Sequence, residues 1–417
     1  MQGAPQLTND WGCMTALLDA VLVNGFNLKS IATLTSTGDI ATATISAGHL
    51  FEVGQVVLIA GASQSEYNGE VRVLSVTANT FTYAVTGTPA SPATGTITVK
   101  AAPLGFEIAF TGTNKRAYRS PNVASNRPYL RVDDSLDTLN TTTYAKKAKV
   151  TMAQGMSGID TFVGARAPYD SALPNKNEVA TGSGASVSDG WYKWYYAKSG
   201  TVNTGDSTAP SAYNRPWVIV GDDRGFYLFN ESLDGLGIAG KCFTDFESYR
   251  SADGFNTLLC AHDAYVDASY SINSDPEGYA SSDWKSRFPR TQDNMGKVLM
   301  CSYLQIGNNV NPSFTSLNTN NAQNITGYST GITFPNGPDY SLLMYPTLLK
   351  EGSHLRGKMP GMMWILNESP TFNHLDTITG VAGYSGRTFK IVKFVHGGAS
   401  GLNATACVAF DLTGPWW

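Results

Sequence analysis

From Ile31 onward the chain consists of short strand-like runs separated by turn residues. This pattern constrains the fold more than any other feature of the sequence. The runs, such as TATIS, QVVLIA, EVRVLSV and TFTYAV, alternate between two faces or are β-branched. Turn signals recur about every 8 to 12 residues, which is typical of small sandwiches and barrels. Charged residues make up only 15% of the 417 residues, against roughly 25% in an average soluble domain. The sequence therefore predicts a mainly β protein with a sandwich-like or barrel-like body.

One α-helix is predicted near the N-terminus. Asn9 or Asp10 can cap its first turn, and Asn24-Gly25 follows as a stop signal. Between these signals an apolar stripe recurs at helical spacing, and it consists of Met14, Leu17, Leu18, Val21 and Leu22. The stripe must cover either its own domain or a partner. The interface candidates within it are Met14, Leu17, Leu18 and Val21.

The strand-rich segment 31–102 has the character of an insertion. The segments on either side of it have the pattern of strands that belong to one sheet and are separated by the insertion. They are LVNGFNLKS before it and APLGFEIAFTGTNKRAYRS after it. We therefore predict three parts. Residues 1–30 hold the N-terminal helix and the first strand of the main body, residues 31–102 form an inserted small β-barrel, and residues 103–417 form the main β-rich body.

Charge and cysteine usage exclude several classes of protein. The net charge of −4 argues against a nucleic-acid binder, since phosphate contacts need a basic surface. No apolar run reaches the length of about 18 residues that spans a membrane, and the first ten residues do not resemble a secretory signal. The five cysteines are an odd number without a C-x-x-C pair, which is typical of free thiols made in a reducing cytosol. Neither H-E-x-x-H nor a P-loop occurs, so no cofactor or metal is predicted.

Two segments share the order Asn-Arg-Pro-aromatic, extended run, paired aspartates. They are NRPYLRVDD, residues 126–134, and NRPWVIVGDDRGFYLF, residues 214–229. In the second segment a Gly-Asp-Asp-Arg-Gly loop separates two apolar runs, which predicts a β-hairpin, because glycine allows positive φ and aspartate bonds its own backbone.

The paired aspartates have two interpretations. Arg127 and Arg215 each precede proline, which favours an extended backbone, and each can pair with an aspartate of its own or of the other segment. Structural Arg–Asp ties are therefore predicted with the candidates Asp133, Asp134, Asp222 and Asp223. The alternative is a cation site made by the same four carboxylates. Hard cations want about six to eight oxygens, however, and adjacent side chains of a strand point in opposite directions.

Two aromatic segments are candidates for contacts. In GWYKWYYA, Gly190 to Ala197, alternation predicts one face in the core and one exposed face, as at an interface. Trp191 and Trp194 are the interface candidates there, and a glycan platform is the less favoured alternative. The chain ends in Trp416 and Trp417, which are predicted to anchor the terminus in its own body or in another subunit.

A hydrolase pattern is present but lacks its context. Ser329 lies in GYSTG, and Asp376 and His396 follow in the order used by α/β-hydrolases. That mechanism needs a sharp strand-to-helix turn under the serine, and the flanking segments NTNNAQNIT and GITFPNGPDY predict neither element. We expect no enzymatic activity, and a serine hydrolase remains a remote alternative.

The segment HLFEVGQVVLIAGA…YNGEVRVLSVTANTFTYAV resembles a small β-barrel module found in bacteriophage virion proteins, over about 60 residues. The module reads approximately H-G-(hydrophobic)-x-x-G-D-x-V-x-I-x-G-A…Y-N-G-x-(hydrophobic)-x-V. The matching residues are His49, Gly54, Val57, Ile59, Gly61, Ala62, Tyr67, Asn68, Gly69 and Val73. Leu50 replaces the first glycine of the pattern and Gln55 replaces its aspartate.

The wider chain also resembles a group of tailed-bacteriophage virion structural proteins. The resemblance rests on LLDAVLVNGFN, FTGTNKRAYRS, RPYLRVDD, RPWVIVGDDRGFYLF, LRGKMPGMMWIL and AFDLTGPWW. It implies an assembly component of the tail, baseplate or head–tail region that contacts other virion proteins and copies of itself. A capsid-decorating or receptor-binding virion protein is the alternative. The implied location is the virion, after synthesis in the bacterial host cytoplasm.

Overall fold

The structure is a computed structural model. It describes residues 3–184, 187–199, 206–235, 238–251, 253–263, 296–299, 314–320, 332–333, 338, 340–351, 354–365, 367–368, 372–393 and 407–417. Contacts divide the chain into two compact units. The smaller unit comprises Met1–Pro5 and Ala16–Phe106, and the larger unit comprises Gln6–Thr15 and Glu107–Trp417. The described residues are mainly β, with a helical segment near the N-terminus, as the sequence predicts.

The helical segment begins later than the sequence predicts and ends where predicted. The α-helix α1 spans Cys13–Leu18 and continues as a π-helix over Asp19–Asn24, where Gly25 terminates it at φ 69°. The apolar stripe is buried within the chain: Met14, Leu17, Leu18 and Leu22 are 0% exposed and Val21 is 7% exposed. These side chains therefore offer no free surface to a partner in this structure.

After its helical residues, which end at Asn24, the smaller unit is a β structure with a single core. Its strands are β1 (Phe26–Ser30), β2 (Thr33–Thr37), β3 (Ile40–Thr44), β4 (Val56–Ala62), β5 (Gly69–Arg72), β6 (Ser75–Val76), β7 (Thr80–Ala84) and β8 (Gly95–Ala101), with a 3-10 turn at Ser65–Tyr67. They form two four-stranded antiparallel sheets of order β1-β8-β4-β5 and β2-β3-β7-β6. Alternate residues of both sheets, such as Val57, Phe81 and Val99, fill one core together with Tyr67 of the 3-10 turn.

The first strand was predicted to belong to the main body, and this assignment is wrong. β1 pairs antiparallel with β8 of the smaller unit, from Phe26↔Ala101 to Ser30↔Thr98. The chain also enters and leaves this unit at one place, since the amides of Gly105 and Phe106 both donate to the carbonyl of Leu22. Pairing between the first and last strands moves the unit's bounds outward from the predicted 31–102.

The larger unit contains the remaining strands. They are β9 (Glu107–Gly112), β10 (Lys115–Arg119), β11 (Tyr129–Asp133), β12 (Lys146–Gly158), β13 (Thr161–Ala167), β14 (Ala180–Thr181), β15 (Ser188–Asp189), β16 (Tyr192–Ala197), β17 (Trp217–Asp222), β18 (Gly225–Glu231), β19 (Ile238–Asp245), β20 (Glu247–Ser248), β21 (Thr257–Cys260), β22 (His262–Asp263), β23 (Gly296–Leu299), β24 (Phe314–Asn320), β25 (Ile332–Thr333), β26 (Met344–Glu351), β27 (His354–Ile365), β28 (Asn367–Glu368), β29 (Thr377–Thr379), β30 (Thr388–Lys393) and β31 (Cys407–Asp411).

Two large sheets organise this unit. The first has the order β22-β16-β12-β11-β10-β9, with β13 paired to β12, and the second has the order β17-β18-β19-β21-β23-β24-β26-β27-β31-β30-β29, with β20 paired to β27. The sheets contact each other through aromatic side chains. Trp194 of β16 donates from Nε1 to the carbonyl of Cys260 at 2.8 Å, and Tyr192 donates to the carbonyl of Leu259 at 2.8 Å. The chain passes from the second sheet to the first at Ala261, between β21 and β22.

Candidate functional site

The second Asn-Arg-Pro segment forms the predicted hairpin. β17 and β18 pair in unbroken register from Trp217↔Asn230 to Asp222↔Gly225. Asp223 and Arg224 are left as a two-residue turn, the length most favoured between antiparallel strands. The prediction of a hairpin is confirmed, and its loop is shorter than the five residues suggested by the sequence.

The partners predicted for the two arginines are wrong. Arg215 is fully buried, and its guanidinium binds the carboxylate of Asp234. Arg127 donates from Nε to the carbonyl of Ser120 at 3.0 Å and lies 3.6 Å from the carboxylate of Glu107. Arg127 also has a φ of 57°, so its backbone is not extended as predicted. The pairing register of neighbouring strands, which sequence proximity does not reveal, decides which acid lies within reach.

Asp133 is held by cations on its own and on neighbouring strands. Its carboxylate lies 3.0 Å from the guanidinium of Arg131, 3.5 Å from the ammonium of Lys149 and 3.6 Å from that of Lys115. Burial raises the pKa of Asp133, but Lys149 and Arg131 outweigh it and lower that pKa below its ordinary value. An arginine tie to Asp133 therefore exists, but its donor is Arg131 rather than Arg127.

Asp134 points away from this cluster into a different set of contacts. It is fully buried and accepts hydrogen bonds from the amides of Met14, at 2.9 Å, and Thr15, at 3.4 Å. Both amides belong to the first turn of α1, so the cap of this helix comes from Asp134, which directly follows β11, rather than from Asn9 or Asp10. A remote cap leaves no local sequence signal.

Burial determines the protonation of Asp134. The hydroxyl of Tyr196 donates to Oδ1 of Asp134 at 2.6 Å and lies 2.9 Å from the carbonyl of Asp10. Burial raises the pKa of Asp134 to about 8, although the hydrogen bonds from Tyr196 and from the amides of Met14 and Thr15 act to lower that pKa.

The second aspartate pair lies at the start of the hairpin turn: Asp222 ends β17 and contacts the end of the chain, and Asp223 is the first residue of the turn. Asp222 accepts a hydrogen bond from Nε1 of Trp417 at 2.8 Å, and the guanidinium carbon of Arg224 lies 3.7 Å from the centre of the same indole ring. Asp223 accepts from the side-chain amide of Asn122 at 3.1 Å. Asp222 and Asp223 therefore bind Trp417 and Asn122, and neither forms the predicted ion pair with Arg127 or Arg215.

Both terminal tryptophans contact their own chain. Trp416 packs beside Tyr227, with ring centres 6.0 Å apart, and donates from Nε1 to the carbonyl of Asp411 at 2.8 Å. Trp417 keeps 39% of its surface exposed. The sequence allows the two tryptophans to anchor the terminus in their own chain or in another subunit. In this structure they anchor it in their own chain.

Replacing Gly361 by alanine should displace Trp416. Gly361 has a φ of 63°, and an added Cβ would overlap the indole of Trp416. We expect the free energy of unfolding to fall by about 2–4 kcal/mol, since overpacking and left-handed strain add. Gly380→Ala is the matched control, because its φ is 69° and no heavy atom lies within 4 Å of the added Cβ. Denaturant titration of both variants checks this, and equal losses would contradict it.

The aromatic strand is buried on both faces, so the expectation of one exposed face is wrong. Every residue of Tyr192–Ala197 is buried. Trp194 meets Phe226 edge to face, with ring centres 6.0 Å apart. Trp191 is 7% exposed, and the ammonium of Lys176 lies 4.6 Å from its ring centre. The strand belongs to the first large sheet and contacts the second sheet through Trp194. Trp191 and Trp194 are both buried and therefore form no open platform for a glycan.

Sequence reasoning missed a buried cluster of charges around Asp206. The ammonium groups of Lys147, Lys198 and Lys193 lie 2.8, 3.2 and 3.7 Å from its carboxylate, and Tyr195 donates its hydroxyl at 3.0 Å. Burial raises the pKa of Asp206, but the three lysines outweigh it and hold that pKa well below its ordinary value. The available signal was the presence of lysines inside the apolar strand sequences AKKAKV and WYKWYYAK.

Next to the Asp206 cluster, further buried polar groups join the two large sheets. The ammonium of Lys241, on β19, donates to Oδ1 of Asn230 at 2.9 Å, and the amide of Asn230 donates to the carbonyl of Tyr195 at 3.2 Å. Burial, together with the nearby Lys193, lowers the pKa of His262 to about 3. This histidine is therefore neutral near pH 7. The arrangement is suited to holding two sheets in one register.

The hydrolase and metal alternatives gain no support from the described residues. Ser329 and His396 lie outside them, and the carboxylate of Asp376 accepts a hydrogen bond from the amide of Asn373 at 2.6 Å. Within the described ranges, no group of three or more His, Cys, Asp or Glu side chains converges as a metal site. The four aspartates of the cation alternative have the separate contacts given above.

Comparison with known proteins assigns no family. No family model matches the sequence, and no curated protein matches it significantly. Among the described helices, none has the length and apolar character needed to cross a membrane.

Proposed function

We propose that the protein is a structural component of a tailed-bacteriophage particle, in the tail, baseplate or head–tail region. It acts through contacts with other virion proteins and with copies of itself, and it has no enzymatic role. Its location is the virion, after synthesis in the host cytoplasm. The sequence resemblance is the origin of this proposal.

The observation that carries the proposal is how the larger unit uses its ionisable and aromatic side chains. Asp133, Asp134 and Asp206 are each buried in contacts with other residues of the chain. Trp194 joins the two large sheets. Buried pairs and inter-sheet aromatic contacts fix one arrangement of the sheets, which suits a permanent scaffold.

The smaller unit uses its motif residues in the same way. His49 accepts from the amide of Phe51 at 2.9 Å and bonds the carbonyl of Thr80 at 3.0 Å. Asn68 holds both backbone groups of Ala62, at 3.0 and 2.8 Å. The residues that carry the resemblance to a virion module therefore support turns and strands, as expected of a scaffold.

Negative-stain microscopy of the purified chain, with light scattering for its mass, tests the proposal. We expect rings, tubes or discrete oligomers that persist on dilution, because permanent interfaces dissociate slowly. A monomer that hydrolyses ester substrates would overturn it. Labelling with a fluorophosphonate probe, with Ser329→Ala as the control, detects that outcome. Monomers that bind a glycan array would instead support the receptor-binding alternative.

A further inference from the structure

Two cysteines of the larger unit face each other across neighbouring strands. Cys242 on β19 and Cys260 on β21 are direct partners in the antiparallel register. Both are free thiols, 0% and 2% exposed, and their side chains hydrogen-bond each other. They lie in the apolar core that also contains Tyr227 and Phe246. The register alone therefore brings together two reactive groups that are 18 positions apart in the sequence.

The position of the pair in the ladder defines its geometry. Phe246 and Asn256 face each other four positions from Cys242 and Cys260, and the amide of Phe246 donates to the carbonyl of Asn256 at 2.8 Å. Hydrogen-bonded and non-hydrogen-bonded pairs alternate along an antiparallel ladder, so a pair four positions away is of the same type. Cys242 and Cys260 are therefore a hydrogen-bonded pair, with Cα atoms about 5.5 Å apart. This separation lies within the range for disulfides, roughly 4.4–6.8 Å, but the Cβ atoms of such pairs are about 5 Å apart rather than about 3.8 Å. A bond there is feasible and strained, hence readily reduced.

We propose that Cys242 and Cys260 form a redox-convertible pair: a dithiol in a reducing cytosol and a cross-strand disulfide when the chain folds or opens in the presence of an oxidised low-molecular-weight disulfide. The pair is an oxidation site within the core of the second sheet. The inference rests on register and burial and does not depend on the assembly proposal.

The conversion follows ordinary thiol–disulfide exchange. The thiolate of one cysteine attacks the small disulfide, whose S–S bond breaks, and a mixed disulfide forms as one small thiol leaves. The second cysteine then attacks the protein-bound sulfur, so the protein S–S bond forms and the second small thiol leaves. Two protein thiols are oxidised, one small disulfide is reduced to two thiols, and the two protons go to the leaving thiolates.

Burial controls when this exchange occurs. Only the thiolate is nucleophilic, and burial, together with the hydrogen bond to Cys260, raises the pKa of Cys242 well above its ordinary value. The closed sheet also excludes an oxidant from both sulfur atoms. The pair should therefore stay reduced in the folded protein and react while β19 and β21 are apart, during folding or local opening.

Peptide mapping of the full chain tests the proposal. The chain is unfolded under reducing conditions, refolded in oxidised or in reduced glutathione, alkylated and digested with trypsin. Cleavage after Lys241, Arg250 and Lys285 places the two cysteines on the peptides 242–250 and 251–285. We expect these peptides to be linked, two hydrogen atoms lighter than their sum, and about tenfold or more abundant in the oxidised sample. Dithiothreitol should separate them.

Three serine variants provide the controls. Cys242→Ser and Cys260→Ser should each abolish the linked species, whereas Cys407→Ser, which removes another buried thiol on β31, should retain it. If a variant does not fold, the peptide map of the unmodified chain still decides. Full alkylation of both cysteines after oxidative refolding, or linkage mainly to other cysteines, would overturn the proposal.

Discussion

Asp134→Ala should lower the free energy of unfolding by about 3–5 kcal/mol, because it removes a fully buried acceptor and leaves more than one buried donor unsatisfied. The partners are the amides of Met14 and Thr15 and the hydroxyl of Tyr196. Asp134→Asn should cost far less. Its amide oxygen can accept from the two backbone amides, and its NH₂ can donate to the hydroxyl oxygen of Tyr196 while that hydroxyl donates to the carbonyl of Asp10.

The same residue should make stability depend on pH. Burial raises the pKa of Asp134 from 3.8 to about 8, so folding takes up a proton between these values. The stabilisation is complete below about pH 4 and is lost as the pH rises through about 8. Relative to Asp134→Asn, the protein should lose up to about 5 kcal/mol over this interval.

Denaturant titrations at pH 5, 7 and 9 check both expectations. The difference in midpoint between the unmodified chain and Asp134→Asn cancels the contribution of other titrating groups. A difference that does not change with pH would show that Asp134 is ionised throughout. An alanine variant as stable as the asparagine variant would show that the cap and the tyrosine contact contribute little.

Asp206→Ala should destabilise the protein by about 3–5 kcal/mol, because buried ammonium groups lose their carboxylate partner. Lys147, Lys198 and Lys193 lie within 3.7 Å of it, and Asp206 is 3% exposed. Its pKa is lowered, so its contribution is present above the ordinary value of 3.8 and is lost as the pH falls below it. The unmodified chain should therefore lose its advantage over Asp206→Ala in acid.

A surface pair gives the matched control. Glu247 lies 2.9 Å from the ammonium of Lys358, and these side chains are 47% and 35% exposed. Glu247→Gln should cost less than about 1 kcal/mol, since water and salt screen exposed charges. Guanidinium chloride is itself a salt and would screen the Glu247–Lys358 pair. Urea titrations should therefore be used for both variants. Comparable losses at Asp206 and Glu247 would refute the view that burial makes the Asp206 cluster important.

Local patterns predicted the elements that depend on neighbouring residues. The mainly β fold, the helix end at Gly25 and the hairpin between Trp217 and Glu231 all follow from propensity, turn chemistry and alternation. The helix start and the partners of Arg127 and Arg215 did not follow. Each depends on an acid supplied by a segment that folding brings near, and no local spacing encodes that approach.

The candidate site shows the same division. The sequence singled out the aspartate pairs and the aromatic strand. The burial of Trp191 and Trp194, however, was decided by the packing around β16, which belongs to the first large sheet and contacts the second. The lysines around Asp206 were visible as charges in apolar runs. Their convergence was not visible, because it joins residues of two strands and a loop.

By itself the sequence determined the class of fold, the helix end and the hairpin of β17 and β18, because alternation, glycine and paired aspartates act over a few residues. Only the tertiary structure decided that Asp134 caps α1 and is kept protonated by burial, that the carboxylate of Asp206 lies among three lysines, and that Cys242 faces Cys260. The physical reason is that hydrogen bonds, charge pairs and thiol contacts act over a few ångströms, and strand register sets which distant residues come that close.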